Sequence, residues 1–214
     1  MKIEALIFDI GNVVIPFDWQ AAEGQLRIRS GNGKTSIRED IKGLINRFEV
    51  GEIPQTAFVP MAARAIGFQG DEQEFIAIFN SIFNSNPPME RSIQQLAARF
   101  PLYLLSNTSE LHLAYLQRNF KVLQHFADGV YSFHAKCRKP DRKIFEVAIK
   151  QFDVTPESTI YIDDLEANVR SASDLGFHAI RYEWREHVDF ERRLAEFGIS
   201  DLSLKSVSEG SSLC

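Results

Sequence analysis

Apolar residues recur along this chain with two different periods, and the switches between them mark out its parts. Met1-Lys2-Ile3-Glu4-Ala5-Leu6-Ile7-Phe8 is an apolar run with little alternation, the pattern of a central strand in a parallel sheet covered on both faces. It stops at Asp9, and Gly11-Asn12 follow at once as turn residues. After Pro16 the period becomes helical. A first helix is predicted around Trp19 to Arg29, ending near Ser30-Gly31-Asn32-Gly33. Ile37, Ile41, Leu44, Ile45 and Phe48 share one helical face. Phe58, Val59, Ala62, Ala63 and Ile66 share a second, and Phe75, Ile76, Phe79, Ile82 and Phe83 a third. Four short helices joined by Gly-containing turns make a small bundle. Asn84-Ser85-Asn86-Pro87-Pro88 reads as the link back to the main body.

From there strands and helices alternate. A helix with Ile93, Leu96, Ala97 and Phe100 leads to the strand Leu102-Tyr103-Leu104-Leu105, which ends at Ser106-Asn107-Thr108. A helix beginning near Ser109 leads to a predicted strand over Gly129-Val130-Tyr131-Ser132-Phe133. Another, with Ile144, Phe145, Ala148, Ile149 and Phe152, precedes Thr159-Ile160-Tyr161-Ile162, which ends at Asp163-Asp164. A last unit runs from Glu166 through Leu175-Gly176 into His178-Ala179-Ile180-Arg181-Tyr182. Such alternation predicts an α/β fold with a doubly wound parallel sheet. The main body is expected over residues 1–16 and 87–203, the helical insertion over 17–86, and a loosely held polar tail over 204–214.

Composition narrows the field. The 214 residues suffice for one full α/β domain plus a smaller one, and 17 Phe within a 44% hydrophobic content supply its core. A net charge of −5 offers no broad attraction to nucleic acid or an anionic membrane surface. No apolar run reaches the ~20 residues of a membrane span, and no signal-peptide pattern opens the chain. Cys137 and Cys214 lie far apart and in no metal spacing. A cytoplasmic protein, monomeric or homodimeric, is the expectation.

The chemistry concentrates where strands end: Asp9, Ser106-Asn107 and Asp163-Asp164, with Lys139 added by the loop Arg138-Lys139-Pro140-Asp141. Each has a plain structural reading, as a turn residue, a helix cap or a solvated loop cation. Together they place a nucleophile, a hydroxyl donor, a cation and a metal-binding acid pair at one edge of one sheet, where open α/β folds bind ligands. A carboxylate can be phosphorylated and then hydrolysed, which splits one hard displacement into two. Mg²⁺ prefers oxygen ligands and typically uses one or two carboxylates plus substrate phosphate.

On Phe8-Asp9-Ile10-Gly11-Asn12-Val13, Leu105-Ser106-Asn107-Thr108, Lys139-Pro140-Asp141 and Asp163-Asp164 with Asn168 shortly after, the chain resembles the haloacid dehalogenase superfamily, in its phosphatase branch with a helical cap. The Asp-x-Gly-Asn-Val form is similar to that of bacterial phosphatases acting on α-D-glucose 1-phosphate. The resemblance implies a Rossmann-like core with an inserted four-helix cap, and a Mg²⁺-dependent phosphatase of a small phosphorylated metabolite, sugar phosphates among the candidates. It implies that Asp9 attacks phosphorus and becomes an aspartyl phosphate. Ser106 and the Asn107 backbone amide would hold phosphoryl oxygens, and Lys139 would neutralise charge. Mg²⁺ would be bound by Asp9, the Gly11 carbonyl and Asp164, with Asp163 a ligand or its supporting neighbour.

Three departures qualify the resemblance. Most phosphatases of this type carry a second Asp two residues past the nucleophile as general acid and base; here that position is Gly11. His134 and Lys136 stand where relatives often have Glu and Gly. Asp163-Asp164 is a metal pair that the dehalogenase branch lacks. Two other readings therefore stay in view: a 2-haloacid dehalogenase, disfavoured by those acids, and a non-catalytic phosphate-binding protein, suggested by Gly11. In the cap, Arg47-Phe48-Glu49-Val50-Gly51-Glu52-Ile53 reads either as a turn facing the leaving group, with Arg47 a substrate contact, or as a helix end closed by Gly51. His112, His125, His178 and His187 have no metal spacing and are read as packing or solvated residues.

Overall fold

The computed structural model describes residues 2–30 and 37–200. The predicted tail at 204–214 and the Gly31-Asn32-Gly33 turn lie outside them. Among the described residues five strands form one parallel sheet: β1 (Ala5–Phe8), β2 (Leu102–Ser106), β3 (Asp128–Tyr131), β4 (Thr159–Asp163) and β5 (His178–Arg181). Their spatial order is β3-β2-β1-β4-β5. β1 is buried along its whole length because it lies at the centre, with Leu6 opposite Leu102 on one side and Ile160 on the other. Successive strand residues face opposite sides. Leu6, Phe8, Leu104 and Ile162 therefore enter one apolar cluster, while Ile7, Leu105 and Tyr161 enter another.

Four helices follow β1: α1 (Trp19–Ile28), α2 (Ile37–Glu49), α3 (Gln55–Ile66) and α4 (Glu72–Asn80). They bury a core of their own from Leu26, Ile41, Phe48, Phe58, Ile66, Phe75 and Phe79. Asp18 caps α1 by accepting the Gln20 amide at 2.8 Å, and Asp71 caps α4 by accepting that of Glu74 at 2.8 Å. α5 (Pro87–Ala97) starts on Asn86 with proline in its first turn, where the missing N–H costs nothing. α6 (Glu110–Asn119), a short α7 (Ser132–Ala135), α8 (Arg142–Phe152), α9 (Glu166–Ser173) and α10 (His187–Glu196) complete the chain. α5, α6 and α10 cover one sheet face and α8 with α9 the other. No helix among the described residues is long and apolar enough to cross a membrane.

One expectation needs correction, and one element was not foreseen. The strand predicted over 129–133 ends at Tyr131, and Ser132 and Phe133 begin α7. Ser132 Oγ accepts the Thr108 amide at 3.0 Å and donates to Glu49 O at 2.6 Å, which fixes the chain as it leaves the sheet. The pattern also gave no sign of α10. Its buried face is only Phe190 and Leu194, set among charges.

Candidate active site

Because all five strands run the same way, their carboxyl ends share one edge. Asp9 follows β1, its amide donating to Ile162 O at 2.9 Å. β2 ends in Ser106 and β4 in Asp163. Lys139 arrives from the loop after α7 and is locked to the end of β2. Its backbone amide donates to Asn107 Oδ1 at 2.8 Å, and Asn107 Nδ2 donates back to Lys139 O at 3.0 Å. The Asn107 side chain thus positions Lys139.

Lys139 is the electrostatic centre. Its ammonium, 3% exposed as a residue, donates to Leu105 O at 2.7 Å and to Asp163 Oδ2 at 2.6 Å. Asp9 Oδ1 lies 2.9 Å from the same nitrogen. With the other two N–H groups of the ammonium taken by Leu105 and Asp163, Lys139 is the partner of the buried Asp9 Oδ1. Asp163 has more partners. Oδ2 also accepts Tyr161 OH at 2.5 Å, while Oδ1 accepts Leu165 N at 2.9 Å and Asn168 Nδ2 at 2.9 Å. All four acceptor positions of that carboxylate are therefore engaged.

The titration shifts follow from this arrangement. Burial, reinforced by Asp163 and Asp164, pushes the Asp9 carboxyl up to about 7 against the pull of Lys139. Burial also opposes ionisation of Asp163, but the Lys139 charge and the donated hydrogen bonds hold it below the usual carboxylate range. Asp164 is raised by burial and by Asp163. Burial works against the Lys139 charge, yet Asp9 and Asp163 more than offset it. Three acids against one ammonium leave the cluster short of positive charge.

One oxygen from each of Asp9, Asp163 and Asp164 falls within 4.8 Å of the others. The donor set is hard oxygen, as Mg²⁺ requires. Asp9, which shares Lys139 with Asp163, and the half-buried Asp164 fit a cation well. Asp163, fully engaged, fits the task of holding Lys139. Asn12 donates to Asp164 Oδ2 at 3.2 Å, and its own oxygen accepts the Phe17 amide at 3.2 Å. That second bond sets Phe17 beside Gly11, where an added Cβ would meet Phe17 Cε1 at 2.9 Å. The acid absent at position 11 is thus replaced in space by a phenyl ring.

The strand ends open into a cavity of about 590 Å³. Its far wall is one stripe of α2, with Arg38, Lys42, Asn46 and Glu49 at helical spacing. Arg47 is not among the lining residues. It is exposed and pairs with Glu52 at 3.2 Å, because residue 47 falls off the stripe that carries 46 and 49. The contact expected of Arg47 is therefore corrected. α2 does end at a glycine: Gly51 has φ +66°, and a Cβ there would meet Phe133 O. Lys136 Nζ donates to Gly51 O at 2.8 Å, and Arg138 donates to Asn46 Oδ1 at 2.9 Å. With Ser132, these residues clasp the end of α2 to the loop that carries Lys139. His134 packs on Phe133, and Cys137 packs behind the site with burial raising its thiol.

Asn12, Phe17, Glu49 and Tyr161 contribute to the site although the sequence gave none of them a role there, Asn12 and Glu49 being quoted only within longer stretches. Two of them had a legible signal. Tyr161 lies two residues before Asp163 in a strand and so shares its face, and Glu49 continues the polar stripe of α2. Phe17 and Asn12 act through a loop that no periodicity describes.

A family model, "Hydrolase: haloacid dehalogenase-like hydrolase", matches residues 3–176. The D-ribitol-5-phosphate phosphatase of Bacteroides thetaiotaomicron is 25% identical over 203 residues, covering 87% of this chain and 97% of its own length. A crystal structure of a HAD family enzyme from that organism, in complex with magnesium and inorganic phosphate, superposes with a TM-score of 0.76 at 26% identity, over 86% of this chain and 96% of that one. The L-2-haloacid dehalogenase of Xanthobacter autotrophicus shares the fold, with a TM-score of 0.61 at 19% identity over 84% of this chain and 77% of that one.

Proposed function

Because the chain belongs to the haloacid dehalogenase-like hydrolase family, we propose that it is a Mg²⁺-dependent phosphatase that hydrolyses a small phosphorylated metabolite, a sugar or polyol phosphate, through an aspartyl phosphate on Asp9. The observation that carries this reading is the charge deficit around Asp9. A buried carboxylate sits beside a second acid, and the ammonium it pairs with is already shared with a third. Bound Mg²⁺ would be held by Asp9, Asp164 and the Gly11 carbonyl, and would supply the positive charge that a carboxylate and a phosphate dianion need to approach each other.

In this reading Asp9 attacks phosphorus, and Lys139 offsets negative charge on both partners. Ser106 and the Asn107 amide receive the phosphoryl oxygens, stabilising charge as it develops. Asp163 holds Lys139 in place through its fully bonded carboxylate. Residues 17–86 act as a cap over a core of 1–16 and 87–203, supported by the separate apolar cluster of α1–α4. The ribitol 5-phosphate relative and the charged and amide side chains that line the cavity both favour a polyhydroxylated leaving group over a haloacid. The partner is that metabolite, with neither nucleic acid nor membrane involved, for a monomer or homodimer in the cytoplasm. The test is phosphate release from a panel of sugar and polyol phosphates, with and without a Mg²⁺ chelator. Chelator-sensitive release that disappears in Asp9→Asn is expected; halide release from 2-chloropropionate without any phosphate release would overturn the reading.

A further inference from the structure

Hydrolysis through a phosphorylated carboxylate poses two proton problems. The departing oxygen must gain a proton as its bond to phosphorus breaks, and the water that later attacks the phosphoenzyme must lose one. At Gly11, where most phosphatases of this type place an acid for both tasks, this chain carries no side chain, and Phe17 Cε1 stands 2.9 Å from where a Cβ would be. Any such group must enter from elsewhere. Among the described residues, the acids lining the main cavity are Asp9, Glu39, Glu49 and Asp164. Asp9 is the nucleophile of the proposed reaction and Asp164 its partner toward a cation. Glu39 is exposed and paired with Lys42 at 3.3 Å. Glu49 remains.

Glu49 also borders a smaller hollow of about 80 Å³ where Gly11, Phe17, Ser106 and Asn107 meet. Its backbone is fixed to the same loop, since Glu49 O accepts Ser132 Oγ at 2.6 Å and Ser132 Oγ accepts the Thr108 amide at 3.0 Å. Its carboxylate is steered by Arg138, which lies 3.4 Å away and adjoins Lys139 in sequence.

We infer that Glu49, reaching in from the last turn of α2, is the general acid and base of the phosphatase reaction proposed above, on which this inference rests. In the first step an Asp9 oxygen bonds to phosphorus, the bond from phosphorus to the ester oxygen breaks, and the Glu49 proton passes to that oxygen to release the alcohol. In the second, the Glu49 carboxylate takes a proton from water, the water oxygen bonds to phosphorus, and the bond from phosphorus to Asp9 breaks. Phosphate leaves, Asp9 is again a carboxylate and Glu49 again carries its proton. Burial raises the Glu49 carboxyl above its ordinary range, with Arg138 and Arg38 pulling the other way. The other charged groups lining the same cavity are Glu39 and Lys42 on α2 and Asp9, Lys139 and Asp164 at the strand ends.

The test uses the full chain with Mg²⁺, comparing wild type, Glu49→Gln and Asp9→Asn on ribitol 5-phosphate and 4-nitrophenyl phosphate. Glu49→Gln should lose ~10²–10⁴-fold in kcat/KM on the alkyl ester. On the nitrophenyl ester, whose leaving group departs as an anion, it should keep a stoichiometric burst of nitrophenolate followed by slow turnover, with acid-quenched phosphoenzyme accumulating. That burst also shows that the variant is folded. The fall in kcat/KM at high pH on the alkyl ester should vanish with the glutamate. Equal losses on both esters without a burst, or no loss on either, would overturn the role of Glu49 while Asp9-dependent hydrolysis stands. If neither ester yields phosphate that depends on Asp9, the phosphatase reading fails and Glu49 loses its role with it.

Discussion

Asp163 and Asp164 are neighbours in sequence whose environments assign them opposite work. Asp163 accepts four hydrogen bonds in a site closed to solvent. Asp163→Ala would strand the Lys139 ammonium and several buried donors, a loss expected to cost about 3–5 kcal/mol. Asp164 faces the cavity and is linked to the protein chiefly through Asn12. Asp164→Ala should barely change stability, or raise it by relieving repulsion among the acids, while sharply weakening Mg²⁺ binding. Urea denaturation and calorimetric titration of both variants check the contrast; equal effects would mean that the hydrogen-bond assignment is wrong. Asp9 adds a pH signature. Its carboxyl moves from 3.8 to about 7 on folding, so the folded state holds a proton that the unfolded state has already released. Metal-free stability should therefore fall as pH climbs between those values and level off above. Asp9→Asn should flatten that slope and be the more stable protein at pH 8, as measured by denaturation midpoints at several pH values.

At the scale of elements, α6 joins the sheet to the helical insertion, and His112 is its contact. The ring stacks on Phe79 of α4 at 4.5 Å between centroids and meets Phe83 edge-on at 5.0 Å, and Nε2–H donates to Phe79 O at 3.3 Å. Burial lowers its pKa from 6.5 to about 4, the backbone bond opposing only in part. A histidine that is depressed on folding stabilises above its unfolded pKa, and that contribution is lost as pH falls through its folded one. The protein should accordingly lose about 3 kcal/mol between pH 6.5 and 4 through this group. His112→Phe should remove that part of the acid dependence; an unchanged acid limb would place the sensitivity elsewhere. The helices themselves were legible because each carries its own stop and start, such as Ser109 before α6, which accepts the His112 amide at 3.3 Å. α7 and α10 were not. α7 is one turn held by Ser132 hydrogen bonds to distant chain, and α10 offers only two buried positions.

At the scale of the molecule, the alternation of strands and helices announced a parallel sheet, and the polar strand ends announced where its site would lie. The order β3-β2-β1-β4-β5 could not be read, since local periodicity does not say which strands become neighbours. The four-acceptor shell of Asp163 and the ring beside Gly11 were equally hidden, for both arise from contacts between remote segments. That remoteness has a thermodynamic consequence. Asn12 and Asp164, 152 residues apart, meet only in the folded chain, so the unfolded chain offers a divalent cation no comparable site. Mg²⁺ should then stabilise by mass action, by about 2.7 kcal/mol at a hundred times Kd. Protons compete with the cation at Asp9, whose carboxyl titrates at about 7 in the metal-free fold. The gain should therefore be small at pH 6 and near its full value at pH 8. Urea midpoints with and without Mg²⁺ at the two pH values measure it. The gain should vanish in Asp164→Ala; if that variant is stabilised as much as wild type, the cation binds away from the strand ends and the charge deficit around Asp9 is met in some other way.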